Sequence, residues 1–353
     1  MRLSTAPLVL KTRHPFRISR EVHDHYEHVV VAIEHEGLTG LGEAAPRQHF
    51  GEDPPRVLED LSRAAEHLGH DPFALEAVLK GIEESIAPTR AALAAIDMAL
   101  HDLIGKHLGM PLYRLFGLDP AQACLTSFTI GLDTVDVIRE KVRQASAFPI
   151  LKIKLGTAYD GEILEAVREE SDATLRVDAN GAWSPEEAVE KARLCQAFDV
   201  EVVEQPVAAG DLDGLRFVRE RVSVPIIADE SVLTAYDIPR HAGKVDGINI
   251  KVSKCGGLRE TLRMIHTARA HGLLVMLGCR VESSLSITAA AHLAPLADYA
   301  DLDGHLLLAE DPFEGVRVEG GRLLLPDSPG LGVQRREGRT AERHTTSEGE
   351  LSP

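Results

Sequence analysis

Cysteine is scarce and scattered. Only Cys124, Cys195, Cys255 and Cys279 occur in 353 residues. No two form a CxxC pair, so the spacing of a cysteine zinc site is absent. Free thiols in a reducing cytoplasm are the simplest reading. Long apolar runs are missing too. None reaches the roughly 18 residues that a membrane helix needs. The opening MRLSTAPLVLKTRHPF lacks the apolar core of a secretory signal. The protein is therefore expected in the cytoplasm and off the membrane. Excess positive charge is also lacking, because the formal net charge is -17. A nucleic-acid partner would call for a basic face, so none is expected. The acidity reads as a solubility feature. Finally, no Gly-rich nucleotide loop follows any strand-like run, which disfavours a doubly wound open sheet.

What is present is an ordinary soluble composition, 44% hydrophobic and 26% charged, with length enough for about two domains. Residues 1–122 mix strands and helices. Residues 28–44 read as a hairpin broken at Glu36-Gly37 and at Gly40. Helical periodicity follows over 55–68, 72–84 and 89–107. From 123 the pattern changes. Apolar strands over 125–131, 149–156, 174–181, 200–207, 224–231, 247–253, 273–279 and 299–305 alternate with amphipathic stretches. In one of these, Ser184 and Glu187 have the spacing of a capping box. Eight such repeats indicate an α/β chain whose 123–305 segment is a parallel β/α barrel. Residues 306–333 are expected to return to the first domain. The polar tail 334–353 has no apolar periodicity, and no packed structure is expected there.

Ionisable residues recur near the carboxyl ends of the barrel strands: Lys152 and Lys154, Asp178, Glu204, Asp229, Lys251, and Asp301 with Asp303. That end of a barrel is its catalytic face. Burying so many charges is costly unless they pair or bind a metal. Three consecutive strands end in VDAN, VEQP and ADES. Adjacent strands lie about 4.8 Å apart, so their acids can converge on one ion. Three hard oxygen donors suit Mg²⁺; Mn²⁺ could substitute, and zinc fits poorly without histidine or cysteine. Lys152 and Lys154 are two apart and share a face. Lys251 ends a later strand, beyond the three carboxylates, and is expected across the cavity from the pair. Two lysines facing each other over a metal-bound substrate form a device for 1,1-proton transfer. Lys254 follows the same strand and is read as the start of a loop.

KIKLG, RVDANGAW, VVEQPV, IIADES and INIKVSKCGG, together with GLTGLGEAAP and ESSLSITAAAHLA, resemble the enolase superfamily, in its muconate lactonizing enzyme subgroup. The resemblance covers nearly the whole chain. It implies a modified (β/α)7β TIM-type barrel with an α+β capping domain. It also implies Asp178, Glu204 and Asp229 as Mg²⁺ ligands, Lys154 and Lys251 as acid/base residues, and Lys152 as a stabiliser of an enediolate. The mandelate-racemase-like branch carries a histidine near the end of strand seven. Here that strand ends Leu277-Gly278-Cys279, which argues against sugar-acid dehydration.

The Asp301-Leu302-Asp303 pattern resembles the dipeptide epimerases of the subgroup, whose aspartates bind the α-ammonium of a dipeptide. Selectivity for the second residue is expected from capping loops near 14–25 and 45–53. HPFRISREV resembles the arginine-bearing loop of Ala-Glu epimerases. Arg20 is the matching residue and Arg17 its competitor, so epimerisation of L-Ala-D/L-Glu is the specific expectation. Glu21, Asp24 and Glu27 nearby would instead suit cationic dipeptides. His23, His25 and His28 are read as surface residues. The other readings are a different subgroup activity (o-succinylbenzoate synthase, cycloisomerase or N-acylamino-acid racemase) and a barrel kept as a non-catalytic binding module. The partner implied is a small dipeptide, and homo-oligomerisation is left open.

Overall fold

A computed structural model describes residues 1–336. The chain opens with an antiparallel sheet of β1 (Arg2–Ile18), β2 (Glu21–His35) and β3 (Leu38–Ala44), in that order. Alternation along β2 gives the sheet two apolar faces. Val29, Val31 and Ile33 pack against the helices α1 (Pro54–Ala64), α2 (Leu75–Ile86) and α3 (Arg90–Leu108). Tyr26 lies on the opposite face and joins the barrel core. A short helix, α4 (Leu112–Leu115), leads out of this unit.

The β2–β3 turn falls at Glu36-Gly37, both at positive φ, as the sequence suggests. Gly40, however, lies inside β3 rather than at a break. Its role is contact. A Cβ at Gly40 would lie 1.9 Å from the Ala99 carbonyl oxygen, and one at Gly42 would lie 2.0 Å from that of Ala95. Glycine on the strand and alanine on α3 let the two backbones touch. The expected loop 14–25 is another difference. It is the far end of the long β1–β2 hairpin, with only Ser19 and Arg20 outside the strands.

Eight parallel strands follow: β4 (Phe128–Ile130), β5 (Ile150–Lys154), β6 (Thr174–Asp178), β7 (Val200–Glu204), β8 (Ile226–Ala228), β9 (Gly247–Ile250), β10 (Leu274–Gly278) and β11 (Tyr299–Asp301). They are hydrogen-bonded in sequence order. A parallel bridge between Thr126 and Ala300 joins the first strand to the last and closes the barrel. The intervening helices are α5 (Val135–Gln144), α6 (Asp160–Glu170), α7 (Pro185–Ala197), α8 (Leu212–Arg219), α9 (Ile238–His241), α10 (Val252–Cys255), α11 (Leu258–Ala270) and α12 (Ser284–Ala291). The capping box forms at α7, where Ser184 and Glu187 satisfy each other's backbone amides. Seven strand–helix units and a final strand give the expected (β/α)7β arrangement.

Period-two alternation sorts the barrel residues. Leu151, Ile153, Leu175, Val177 and Val203 belong to the core between strands and helices. Val202, Ile227 and Met276 fill the barrel interior as a separate apolar plug with Tyr299 against it. One step further along these strands come Glu204 and Asp229. The apolar plug is therefore the floor on which the charged residues stand.

The return segment touches both parts. Thr12 in the capping unit bridges to Leu308, and the Thr126 amide at the barrel's edge donates to the Gly321 carbonyl at 2.8 Å. It contains two small ladders, β12 (Phe313–Glu314) with β15 (Gln334–Arg335), and β13 (Arg317–Glu319) with β14 (Arg322–Leu324). The β15 pairing carries ordered chain past the boundary drawn at 333. Residues 337–353 of the expected tail lie outside the described residues. Among the described residues, no helix is long and apolar enough to cross a membrane.

Candidate active site

The ends of β6, β7 and β8 bring Asp178, Glu204 and Asp229 together. One carboxylate oxygen from each lies within 4.8 Å of the others, and all three residues are buried. Lys154, Asp178 and Glu204 occupy one register row across β5, β6 and β7. Lysines hold these acids from several sides. Lys154 Nζ donates to Asp178 Oδ2 at 2.6 Å, and Lys251 Nζ to Asp229 Oδ2 at 2.6 Å. Lys152, only 1% exposed, donates to Asp301 Oδ2 at 2.6 Å and lies 2.8 Å from Glu204 Oε2 and 3.3 Å from Asp178 Oδ2.

Electrostatics follow from this crowding. Burial pushes Glu204 up, and the neighbouring Asp178 carboxylate adds to the push, so its pKa stands at about 8. Burial also works against Asp178 and Asp229, but the lysines beside them outweigh it and hold both below the ordinary carboxylate value. For Lys152 and Lys251 burial disfavours the charge. The surrounding carboxylates win, and both ammonium groups are held above the usual lysine value. Glu204 Oε2 is buried without an aligned hydrogen bond despite its closeness to Lys152. A buried acid with a raised pKa and an unaligned oxygen, beside two more acids, fits a hard divalent cation.

Three further residues shape the cluster, and sequence reasoning missed them. Lys254 is not loop. It sits in α10, 3% exposed, and donates to Asp229 Oδ1 at 2.6 Å and to the backbone carbonyls of Asp229 and Asn249. Asn249 donates to Glu204 Oε1 at 2.9 Å. Gly278 makes room for it, since a Cβ there would lie 2.4 Å from Asn249 Oδ1. Gln205, at positive φ, accepts the Asp229 amide at 2.9 Å and donates to Ser231. Each is polar and lies within three positions of a predicted site residue, which was the only available signal.

Asp301 and Asp303 are both buried at the end of β11. Asp301 accepts from Ser127 Oγ at 2.8 Å as well as from Lys152. Asp303 accepts the Thr129 amide at 2.6 Å. Burial and the adjacent Asp301 charge raise the Asp303 pKa to about 7. The Cys279 thiol, which lines the open cavity, lies 4.0 Å from Asp303 Oδ1. Burial and the same two aspartates push this thiol well above its ordinary value, which disfavours the reactive thiolate.

The cavity above is lined by Lys154, Asp229, Lys251 and Lys254 from the barrel and by Arg20, Tyr26 and Arg47 from the capping unit. Arg20 reaches it and is bound to Glu230 Oε1 at 2.8 Å and to the Asn180 carbonyl at 3.0 Å. Arg17 is not among the lining residues; its backbone carbonyl accepts from the Leu132 amide. Of the three nearby acids, Glu21 lines the cavity while Asp24 and Glu27 do not. His28 is not a surface residue. It is 2% exposed, with Nδ1 at 2.7 Å from Glu43 Oε1.

Family models match in two parts: Mandelate racemase / muconate lactonizing enzyme, N-terminal domain, over residues 4–117, and Enolase C-terminal domain-like over 135–339. The chain belongs to the enolase superfamily. Within that superfamily it is 40% identical to an L-Ala-D/L-Glu epimerase of Bacteroides thetaiotaomicron, over 95% of this chain and 88% of that one. It is 39% identical to a hydrophobic dipeptide epimerase of Roseobacter litoralis, covering 94% and 98%. The crystal structure of a dipeptide epimerase from Enterococcus faecalis V583, complexed with Mg and the dipeptide L-Leu-L-Tyr, is 36% identical. It aligns with a TM-score of 0.90 over 95% of this chain and 99% of that one.

Proposed function

We propose that this protein is a Mg²⁺-dependent dipeptide epimerase that inverts the α-carbon of the C-terminal residue, with L-Ala-D/L-Glu as the pair suggested by the Bacteroides relative. The placement of Lys154 and Lys251 carries the reading. β5 is the second strand of eight and β9 the sixth. In a closed barrel, strands four places apart face each other, and both lysines reach the same cavity.

Asp178, Glu204 and Asp229 would hold the cation. When bound, it supplies Lewis-acid stabilisation of negative charge on the substrate carboxylate. The protein does the rest. Lys152 adds fixed positive charge beside those oxygens, preorganised by the acids around it. Asp303 and Asp301 take the α-ammonium, which orients the dipeptide. Lys154 and Lys251 address opposite faces of the α-carbon. One takes the proton as a base, and the other returns a proton to the enediolate from the far side. The reverse reaction exchanges their roles. Gln205 and Asn249 hold Asp229 and Glu204 in place, and Lys254 anchors Asp229 from beneath. Mn²⁺ is compatible with the same oxygen set. The four free cysteines support a reducing, cytoplasmic setting.

The test is α-deuterium incorporation from D₂O with Mg²⁺ across a dipeptide panel. Wild type should exchange and epimerise. Lys154→Ala and Lys251→Ala should each lose epimerisation by about 10²–10⁴-fold. Each should keep residual exchange with one antipode only, and the retained antipode should differ between the two. Exchange that is indifferent to both lysines would sink the reading.

A further inference from the structure

Two guanidinium groups in the cavity have no acidic partner. Arg47 follows β3 and Arg280 follows β10, so each comes from a different domain. Among the described residues, no carboxylate oxygen lies within 4.0 Å of either group, whereas Arg20 in the same cavity is paired with Glu230. Arg280 Nη1 donates to the Ala45 carbonyl at 2.6 Å, and its Nη2 is buried without a partner. Arg47 Nη1 donates to the Pro46 carbonyl at 2.9 Å and lies 3.3 Å from His28 Nε2. Each guanidinium stands over an aromatic ring of the cavity wall, Arg47 over Tyr26 at 4.6 Å and Arg280 over Phe50 at 5.2 Å. The rings fix the planes of the two groups without neutralising them.

Burying an unpaired guanidinium costs free energy that a carboxylate ligand would return. The electrostatic surroundings agree. Burial and the neighbouring Arg47 charge lower the Arg280 pKa to about 10. Burial, with Arg20 and Arg280 close by, lowers His49 to about 4. Glu282, Glu52 and Asp229 act on Arg280 in the opposite sense, but burial and Arg47 outweigh them.

We propose that Arg47 and Arg280 form a subsite for the side-chain carboxylate of an acidic residue at the epimerised position. Arg20, held by Glu230 and the Asn180 carbonyl, serves as a latch between hairpin and barrel. The substrate's main-chain carboxylate is committed to the metal cluster and its ammonium to Asp303. A second negative group is the chemistry left for two unpaired cations to recognise. A cationic side chain would instead meet Arg47 and Arg280, with Glu230 already bound to Arg20 and Glu21 lying 3.4 Å from His23. The proposal rests on the dipeptide epimerase reading and goes further in naming the residues that read the side chain.

The experiment compares L-Ala-L-Glu with its neutral isostere L-Ala-L-Gln, measured as kcat/KM for epimerisation. Wild type should favour the glutamate dipeptide by about 100-fold, the scale of a desolvated charge pair. Arg280→Met and Arg47→Met should each bring the ratio close to one, and Arg280→Lys should restore part of it. Arg20→Met should lower both values together and leave the ratio. Because each ratio is taken within one variant, loss of folded protein cancels. A wild-type ratio near one, or a collapse in Arg20→Met but not in the other two, overturns the subsite. Epimerisation of neutral or cationic dipeptides alone overturns the subsite and leaves the epimerase standing. No α-proton exchange with any dipeptide overturns both.

Discussion

Asp303 has a charge it can keep only at some cost. Its carboxyl is buried beside Asp301 and titrates at about 7, against an ordinary value of 3.8. Only the ionised form can pair with an ammonium. In the proposed role, as pH falls below about 7, Asp303 takes up a proton and can no longer pair with a substrate ammonium. At saturating Mg²⁺, kcat/KM should fall about tenfold per pH unit below that point, because kcat/KM reports the free enzyme. Asp303→Asn should remove this limb and leave a low, flat profile. An unchanged acid limb in that variant would separate Asp303 from binding. The same shift has a stability sign. A raised carboxyl pKa favours the folded state below 3.8, and that contribution is lost as pH rises through about 7. Residues of this kind were readable wherever a strand carried its own label. An apolar run ending in a charge marks Lys154, Asp178, Glu204, Asp229 and Lys251 from local sequence alone. Arg47, Arg280, Asn249 and Lys254 could not be read that way. What makes them matter is a partner, or the lack of one, supplied by another strand or the other domain.

At the scale of elements, β3 and α3 meet backbone to backbone at Gly40 and Gly42. Gly42 is buried, and any side chain there would meet backbone rather than a movable group. Gly42→Ala should therefore destabilise the protein by about 1–3 kcal/mol, the usual range for overpacking. Urea unfolding should show a lower midpoint, and an unchanged midpoint would mean that the sheet can shift away freely. The helices and barrel strands were legible because their periods, 3.6 and 2, repeat within each segment. The β1–β2 hairpin was not. Its outer half is polar and exposed, so the segment over 14–25 has the composition of a loop. It is held as strand by pairing, as in Phe16 with His23 and Ile18 with Glu21. Gly40 misled for the opposite reason. It marks a close approach between elements, and close approach and chain break leave the same letter in the sequence.

For the molecule as a whole, a cation held by the cluster of three acids would link metal binding to folding. A cation that binds only the native state stabilises it by about 2.7 kcal/mol at a hundredfold excess over Kd. Thermal unfolding should therefore move upward with added Mg²⁺ and return with a chelator. Asp178→Asn should abolish the response, and a Tm indifferent to Mg²⁺ in wild type would argue against a resident ion. The overall architecture was legible because eight repeats of one pattern leave few alternatives. The docking of the two parts was not, since it depends on single contacts such as Arg20 with the Asn180 carbonyl. The long hairpin has a further consequence. Its base is built into the capping sheet, while its tip rests over a reaction chamber made by other strands. Lys154 and Lys251 thus come from barrel strands, while Arg20 at the hairpin tip and Arg47 after β3 reach the same cavity from the capping unit. Changes confined to the capping unit can reshape one wall of that chamber and leave the barrel strands as they are.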